Sequence, residues 1–585
     1  MDWKRPVTLV VLATLAALAV GTAPTPLWDE DEARFATIAR AMVETGDWIV
    51  PRFNDSLAVD KPVLMHWCMA ACMTVFGTNE FAARLPSMIA TLLTGLALLR
   101  AGRRWFDEST GVVAALAHAG CLLVAIEAHA ATPDAILTAL TAWATVLAAE
   151  ALTPAAANGP LVRLGLGRAL GIGLLLGLAV VCKGPIGYVA PLAVVGPWAW
   201  CLAVARRTPH DRPATLGGVA RAALPAIGDV LVALRPFALT AGAVAAAAPW
   251  YLAVTLRTDG AWTSGFFFVH NVGRFLAPME KHGGGVLFHP LTMLVGLFPW
   301  SCFVPFAVVV AAWRTWRGAD AAATRQGTLL ALVWLGVWVG AFSAAATKLP
   351  NYVLPAYPAA ALIVAGIAVA LARRAAATQA WPHPRWLATG VAFLVFGGAA
   401  TMATVVLAAR HGIPGAEPAA VVGLVPLVGA AACWMLARRK PWAAVAALCV
   451  TGLVYSALMV GPAQLQIATA NTLPDFVRGL RSSTADGPRI GTYQLPSPNV
   501  VFYAGGHTTQ IRDGDLAGVA AFLRSAPDAL LLLPERQMDA VRESLPPGHG
   551  VVARTRPVFR QEDVVAVGRL SPAAPRTAAT PEVTR

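Results

Sequence analysis

Apolar runs of membrane-spanning length recur along the chain, separated by short polar loops, until about residue 460, where the rhythm changes. A helix needs roughly 20 apolar residues to cross the hydrocarbon core of a bilayer, and about thirteen stretches meet that need. They are residues 6–24, 85–101, 110–128, 134–152, 166–182, 187–205, 236–254, 290–312, 327–346, 351–372, 386–408, 418–437 and 442–460. The first follows Lys4 and Arg5 as a secretory leader would, but no clear small-residue cleavage site comes after it and many further spans do, so it reads as a helix. Residues 25–84 break the pattern: they are too long for a hairpin and too apolar for a solvated loop. Glu32 to Glu44 predicts an amphipathic helix with Phe35, Ile38, Ala39, Met42 and Val43 on one face, ended by Gly46. Pro62 to Phe76 predicts a second, with Leu64, Trp67, Cys68 and Met69 suited to an interface. Both are expected to lie along the outer membrane surface.

The last part of the chain reads differently. Arg489–Gln494, Asn499–Tyr503 and Ala529–Leu533 predict strands, and Leu516–Ser525 and Glu535–Leu545 predict helices. The expected organisation is a membrane domain over 1–460, a small α/β domain outside the cytoplasm over 461–571, and a disordered Pro/Ala/Thr tail over 572–585. No catalytic motif stands out in the small domain, which reads as a stabilising or docking element.

Composition supports the membrane class. The 585 residues are 57% hydrophobic and 13% charged, against roughly 25% charged in soluble domains, and mean hydropathy is +0.61. The net charge of +13 resembles a nucleic-acid signal until its carriers are located. Lys4 and Arg5, Arg100, Arg103 and Arg104, Arg163 and Arg168, Arg206, Arg207, Arg212 and Arg221, Arg314 and Arg317, Arg373 and Arg374, and Arg438 to Lys440 fall in alternate loops. Opposite loops carry single cations: Lys183, Lys348 and Arg410. This is the positive-inside pattern, not a nucleic-acid surface. It places the amino terminus in the cytoplasm and residues 25–84, 129–133, 183–186, 255–289, 347–350 and the carboxy-terminal domain outside. The eight cysteines are scattered, mostly within apolar runs, and read as packing residues.

The outer segments hold the candidate chemistry. Asp29 to Glu32 form an acidic run followed by Arg34, and Asp60-Lys61-Pro62, His129, Asp134, Lys183, His270, Arg274, His282 and the stretch Thr347 to Tyr352 complete the set. Ionisable groups at the edge of a bilayer are costly and tend to be functional. Cations that run against the orientation rule, Lys61, Lys183, Arg274 and Lys348, suit a phosphate, and arginine can bind one bidentately.

These blocks resemble a known family. Asp31-Glu32-Ala33-Arg34-Phe35-Ala36, Glu44-Thr45-Gly46-Asp47-Trp48 through Asn54, Asp60-Lys61-Pro62 and Asn79 through Pro86 look like the first outer loop of the aminoarabinose transferase family. Cys182-Lys183-Gly184-Pro185, Pro249-Trp250-Tyr251, Phe267 through Phe275, Phe298-Pro299-Trp300-Ser301 and Lys348 through Tyr352 follow in matching order, so the resemblance runs over residues 1 to about 360. The family has the GT-C fold, is akin to protein O-mannosyltransferases and uses polyprenyl-phosphate sugars. The resemblance implies that Asp31 is the essential aspartate, as base or acceptor-orienting group, and that Asp134 is a second functional acid. It implies that Arg34, Lys61, Arg274 and Tyr352 hold the donor phosphate, with Lys183 and Lys348 alongside. It also implies a divalent metal held by Asp60, where relatives often have Glu, and His270.

The expected protein is thus a polytopic α-helical GT-C glycosyltransferase of the bacterial inner membrane. It would move a sugar from a polyprenyl phosphate to lipid A or another envelope glycan or protein at the periplasmic face, among membrane lipids. No nucleotide cofactor is expected, since no glycine-rich phosphate loop occurs on the cytoplasmic side. A phosphate leaving group needs cations more than an acid, and a carboxylate must orient or deprotonate the acceptor. Without a second carboxylate poised as nucleophile, a single inverting displacement is expected. The competing readings are a transporter or flippase of polyprenyl-linked sugars, a protein O-glycosyltransferase and a non-catalytic scaffold. A transporter would show charged or broken helices at mid-membrane and an inverted repeat.

Overall fold

The computed structural model describes residues 4–20, 22, 25–28, 30–153, 159–208, 216–273, 283–378, 384–483, 487–495, 498–557 and 562–570. Asp29, Arg274, His282 and the tail 572–585 lie outside the described residues. By packing, the chain divides into two compact units: Met1–Thr25 with Ile38–Gln466, and Pro26–Thr37 with Ile467–Arg585.

The first unit is a bundle of apolar helices. In chain order they are α1 (Lys4–Val20), α2 (Glu30–Thr45, whose latter half belongs here), α3 (Leu64–Phe76), α4 (Glu80–Trp105), α5 (Glu108–Ala119), α6 (Leu122–Ala128), α7 (Asp134–Leu152), α8 (Leu166–Lys183), α9 (Ile186–Arg207), α10 (Leu216–Leu234) and α11 (Pro236–Arg257). A short α12 (Ala261–Ser264) runs into a π-helical turn, Gly265–Gly273. Then come α13 (Phe288–Gly296), α14 (Val304–Arg317), α15 (Ala322–Ala344), a 3₁₀ segment Pro350–Ala356, α16 (Tyr357–Thr378), α17 (Pro384–His411), α18 (Leu424–Ala437) and α19 (Pro441–Leu458). The protein is a polytopic membrane protein: among the described residues 11 helices are long and apolar enough to span a bilayer, or 12 with the bent pair α5–α6, whose axes differ by 67°.

This set differs from the thirteen expected segments in four places. Residues 6–24 form the 17-residue α1, and 110–128 is the bent pair. Residues 290–312 are interrupted between α13 and α14 by a 3₁₀ turn, Trp300–Cys302, beside Pro299. Conversely α10, not expected, passes the test of length and apolarity.

Packing shows that α10 nevertheless starts and ends on one side. A Cβ added to Gly173 of α8 would meet the Leu239 carbonyl of α11 at 2.2 Å, and one at Gly177 would meet that of Ala243 at 2.3 Å. Four residues up one helix thus match four residues up the other, so α8 and α11 run parallel. Helix α9 returns from α8 through Gly184-Pro185, so it ends where α8 begins, and α11 begins there too. Helix α10 links those two ends. Its Asp229 pairs with Arg207 at 2.7 Å, and its Ala233 carbonyl accepts from the Leu164 N–H just before α8 at 2.9 Å. Ala222 and Ala226 pack on Ala203 and Val204 of α9, while Leu224, Leu231 and Val232 are exposed, the two-faced character of a helix lying in an interface.

The loop between α2 and α3 is held by indoles. A two-strand hairpin, β1 (Arg52–Phe53) and β2 (Ser56–Leu57), turns through Asn54 and Asp55, both at positive φ (49° and 67°), as a type I′ turn requires. Trp67 Nε1 donates to the Trp48 carbonyl at 2.7 Å, Trp250 Nε1 to that of Ile49 at 2.9 Å, and Trp262 Nε1 to that of Ala58 at 2.7 Å. Arg257 adds an ion pair to Asp47 at 3.0 Å. The described cysteines include no disulfide. Burial, with Cys72 nearby, pushes the Cys68 thiol in α3 up to about 11, which leaves it a protonated packing group.

The second unit carries a five-stranded mixed sheet in the order β4-β3-β5-β7-β6. Strands β3 (Ile490–Tyr493), β4 (Thr509–Ile511) and β5 (Leu530–Pro534) pair in parallel, while β7 (Val564–Arg569) pairs antiparallel with β5 and with β6 (His549–Thr555). Leu531, Leu533, Val565 and Val567 present one face to Val519, Phe522 and Leu523 of the helix Leu516–Arg524. Asn499–Tyr503, expected as a strand, is helical within Pro498–Ala504. Pro498 suits a first helical turn, Gly505 at φ +71° ends it, and Val500 to Tyr503 are all buried instead of alternating. Leu473–Arg481, β4, β6 and β7 are elements beyond those expected. Within this unit Leu27 N donates to the Tyr503 hydroxyl at 2.8 Å, and the Arg478 guanidinium sits 4.3 Å from the centre of the Tyr503 ring.

The α8–α11 contact depends on close backbone approach. Gly173→Leu is expected to lower the melting temperature of the purified protein by about 5 °C or more. Gly171→Leu, two residues away where an added Cβ meets nothing within 4 Å, is expected to leave it unchanged; equal effects of the two would contradict the parallel packing.

Candidate active site

At one end of the first unit, several helix termini converge. Asp134 opens α7 and Lys183 closes α8. A carboxylate at a helix start is favoured by the dipole there, although a lysine at a helix end is favoured for the opposite reason. The two side chains form an ion pair, 4% and 15% exposed. The second Asp134 oxygen accepts from the Asn351 amide at 3.3 Å. The Lys183 ammonium also lies 5.0 Å from the centre of the Tyr352 ring, a cation–π distance. Asp134 therefore acts as the counter-ion that places Lys183, while Asn351 steadies its other oxygen.

Beside this pair opens a cavity. Asp60, Lys61, Lys183, His270, Thr347 and Tyr352 are its polar lining, and Leu137, Ile186, Phe266, Phe342 and Ala345 its apolar lining. Asp60 and Lys61 come from the loop that the indoles pin, and His270 from the π-helical turn, a local distortion frequent at functional sites. Ring contacts from Trp250 and Tyr251 through Trp262 to Phe266 brace that turn. The cavity thus combines two cations with an apolar wall.

Lys348 has a different role from the one expected. Only 4% exposed, its ammonium donates to the carbonyls of Phe342, Ser343 and Ala345 at 3.2, 2.5 and 2.6 Å. These are orphan acceptors at the end of α15, and a lysine there satisfies them and complements the helix dipole. All three of its N–H donors are committed, so it is a helix cap and does not line the cavity.

Asp60 and His270 line the same cavity, which is as far as the expected metal pair goes. Among the described residues there is no group of three or more His, Cys, Asp or Glu placed to hold an ion. Two protein ligands fall short of the three or four that zinc sites use, so no chemistry is assigned to a metal. Asp31 and Arg34 belong to the second unit, where Asp31 is exposed and Arg34 half-buried. In the same segment Glu32 is buried and its carboxylate accepts from Trp28 N at 2.9 Å, the reach-back of a helix-capping acid. His129, also among the candidates, is buried with its ring nitrogens 2.8 Å from the carbonyls of Ala125 and Leu18, a structural position. Arg274 and His282 lie outside the described residues. Asn351 was visible in the sequence as part of a motif but carried no role; its function follows only from the contact with Asp134. The apolar lining carried no signal beyond general hydrophobicity.

Comparison with known proteins agrees with this picture. The model for dolichyl-phosphate-mannose-protein mannosyltransferase matches residues 60–227, which include Asp60, Lys61, Asp134 and Lys183. The undecaprenyl phosphate-alpha-4-amino-4-deoxy-L-arabinose arabinosyl transferase of Enterobacter sp. (strain 638) is 29% identical over 392 residues, covering 66% of this chain and 62% of the relative. The Erwinia tasmaniensis protein of the same name is 28% identical over 351 residues, covering 59% and 56%. The chain therefore matches a little under two thirds of these relatives' length. In fold, it superposes on ArnT from Cupriavidus metallidurans bound to undecaprenyl phosphate with TM-score 0.75, at 21% identity over 97% of this chain and 99% of that one. The apo form gives 0.76 at 20% identity with the same coverage. In sequence this chain is similar to the arabinosyl transferases and, over residues 60–227, to the protein mannosyltransferase family, and it shares the fold of ArnT.

Proposed function

We propose that the protein transfers a sugar from a polyprenyl-phosphate donor to lipid A or a similar envelope glycolipid at the periplasmic face of the bacterial inner membrane. The observation that carries this reading is the meeting of Lys61 and Lys183 in one cavity that also has an apolar wall of Leu137, Ile186, Phe266, Phe342 and Ala345. That combination suits a phosphate attached to a hydrocarbon chain better than a soluble nucleotide sugar. The names of the relatives make undecaprenyl phosphate bearing an amino-deoxy-pentose the first donor to test. The alternate-loop distribution of basic residues supports a cytoplasmic amino terminus and a cavity on the opposite side.

In the proposed reaction the bond between the anomeric carbon and the phosphate oxygen breaks and one to the acceptor oxygen forms. The polyprenyl phosphate departs with the electron pair. Lys61 and Lys183 neutralise the charge that develops on it, with Tyr352 alongside and, by motif resemblance, Arg274; general-acid help is then unnecessary. Asp31, by the same resemblance, orients the acceptor or takes its proton. One displacement inverts the anomeric centre. Asp134 and Asn351 act through Lys183 as positioning residues.

The test is transfer from a synthetic polyprenyl-phosphate sugar to lipid A by the full-length protein, read by mass spectrometry. Asp31→Asn is expected to abolish transfer while leaving donor binding in place; unchanged turnover would remove Asp31 from the reaction. Lys183→Met is expected to lower kcat/KM by roughly a hundredfold or more, as for loss of a group stabilising transition-state charge. Asn351→Ala, which frees one Asp134 oxygen, is expected to cost about tenfold, chiefly in KM for the donor. Lys348→Met should act on melting temperature and not on donor affinity, and a selective loss of donor binding would overturn its assignment as a helix cap.

A further inference from the structure

Away from Asp134 and Lys183 lies a second cleft. Trp300, Phe306, Ile367, Leu371, Trp386 and Leu448 are among its lining residues, and its wall is apolar throughout, Cys433 included. It is formed by α14, α16, α17, α18 and α19. The last four contribute from the ends that also carry cations. Arg374 follows Leu371 by three residues on α16, Arg385 precedes Trp386 on α17, Arg438 follows Cys433 by five residues at the end of α18, and Lys440 precedes Ala444 by four at the start of α19. One helical turn is about 5.4 Å, so each helix places a positive charge within one to one and a half turns of the cleft.

These charges are uncompensated. The carboxylates of the neighbouring loops are already committed: Asp107 to Arg373 at 2.9 Å, Glu108 to Arg103 at 3.0 Å, Glu150 to Arg100 at 2.6 Å, and Asp320 to Arg314. Among the described residues Arg374, Arg385, Arg438, Arg439 and Lys440 have no carboxylate partner. Arg438 instead lies 5.4 Å from the centre of the Trp434 ring, and Arg373 lies 6.0 Å from that of Trp442. Orientation in the membrane accounts for cations in these loops. It does not account for the apolar cleft beneath them. A hydrocarbon chain with a negative headgroup satisfies both.

We infer that this cleft binds an anionic glycerophospholipid of the surrounding leaflet, one acyl chain inserted between α14, α16 and α19 and the phosphate held by Arg374, Arg438 and Lys440. The site is separate from the donor cavity and does not rest on the proposed reaction. Basic pockets between helices are a recurring means of recognising such lipids.

The test uses the full-length protein in nanodiscs of phosphatidylcholine containing a minor share of phosphatidylglycerol, with protein-retained lipid quantified after detergent exchange. Phosphatidylglycerol is expected to be enriched over its bulk share by about fivefold or more. The triple substitution Arg374→Gln, Arg438→Gln, Lys440→Gln should return the ratio to the bulk value. Ala368→Trp, which fills the cleft and keeps every charge, should do the same. Val445→Phe is a second filling variant should the first fail to purify. Bulk composition around the wild type overturns the inference, as does enrichment that survives filling of the cleft, since the headgroup would then be held by surface charge alone.

Discussion

Burying an ammonium among apolar helices costs several kcal/mol unless a carboxylate meets it, and Lys183 is met by Asp134. The partners arrive from different helices, one opening α7 and the other closing α8. Holding them together brings two helix termini, the Asn351 amide and the Tyr352 ring to one point. Once that point exists, the wall of the donor cavity follows: Leu137 lies one turn beyond Asp134 and Ile186 just past Lys183. Removing either charge would leave the other stranded in a poorly solvated place, which is why the pair is a geometric constraint before it is a chemical one.

The same accounting governs the neutral groups. Backbone polar atoms in a bilayer protein must be satisfied internally. Where the helices are interrupted, side chains do this: Lys348 caps α15, and three indole N–H groups hold the carbonyls of Trp48, Ile49 and Ala58. Each such bond is worth about 0.5–1.5 kcal/mol, modest singly, but together they fix the loop that carries Asp60 and Lys61. The aromatic residues around the site are therefore scaffolding, and their polar edges matter as much as their area.

Much of this was legible in the chain. Apolar length located the helices, and cations against the orientation rule pointed to Lys61 and Lys183. What was illegible has common physical causes. Lys348 has the same sequence profile as Lys183, an isolated lysine in an outer loop, and only its distance to three carbonyls separates a helix cap from a cavity residue. Pro498 to Gly505 encloses a buried apolar run too short for its period to distinguish helix from strand. The interruption between α13 and α14 leaves hydropathy untouched, because its residues are as apolar as those on either side. Asn351 has no charge to draw attention, and its value depends wholly on Asp134 being opposite.

Helix α10 is the sharpest case, since length and apolarity both favour a crossing that connectivity forbids. Were α10 to cross, α11 would run against α8 and its far end would emerge beside the basic loops. Two independent observations oppose this. The register of Gly173 and Gly177 on Leu239 and Ala243 requires parallel helices. Near the end of α11, Trp250 donates to Ile49 and Arg257 pairs with Asp47, and both partners lie in the loop that carries Asp60 and Lys61. The fold thus places a two-faced helix along one surface to keep α11 in phase, and the cavity keeps His270 because of it: the π-helical turn that brings His270 to the lining begins just beyond the end of α11.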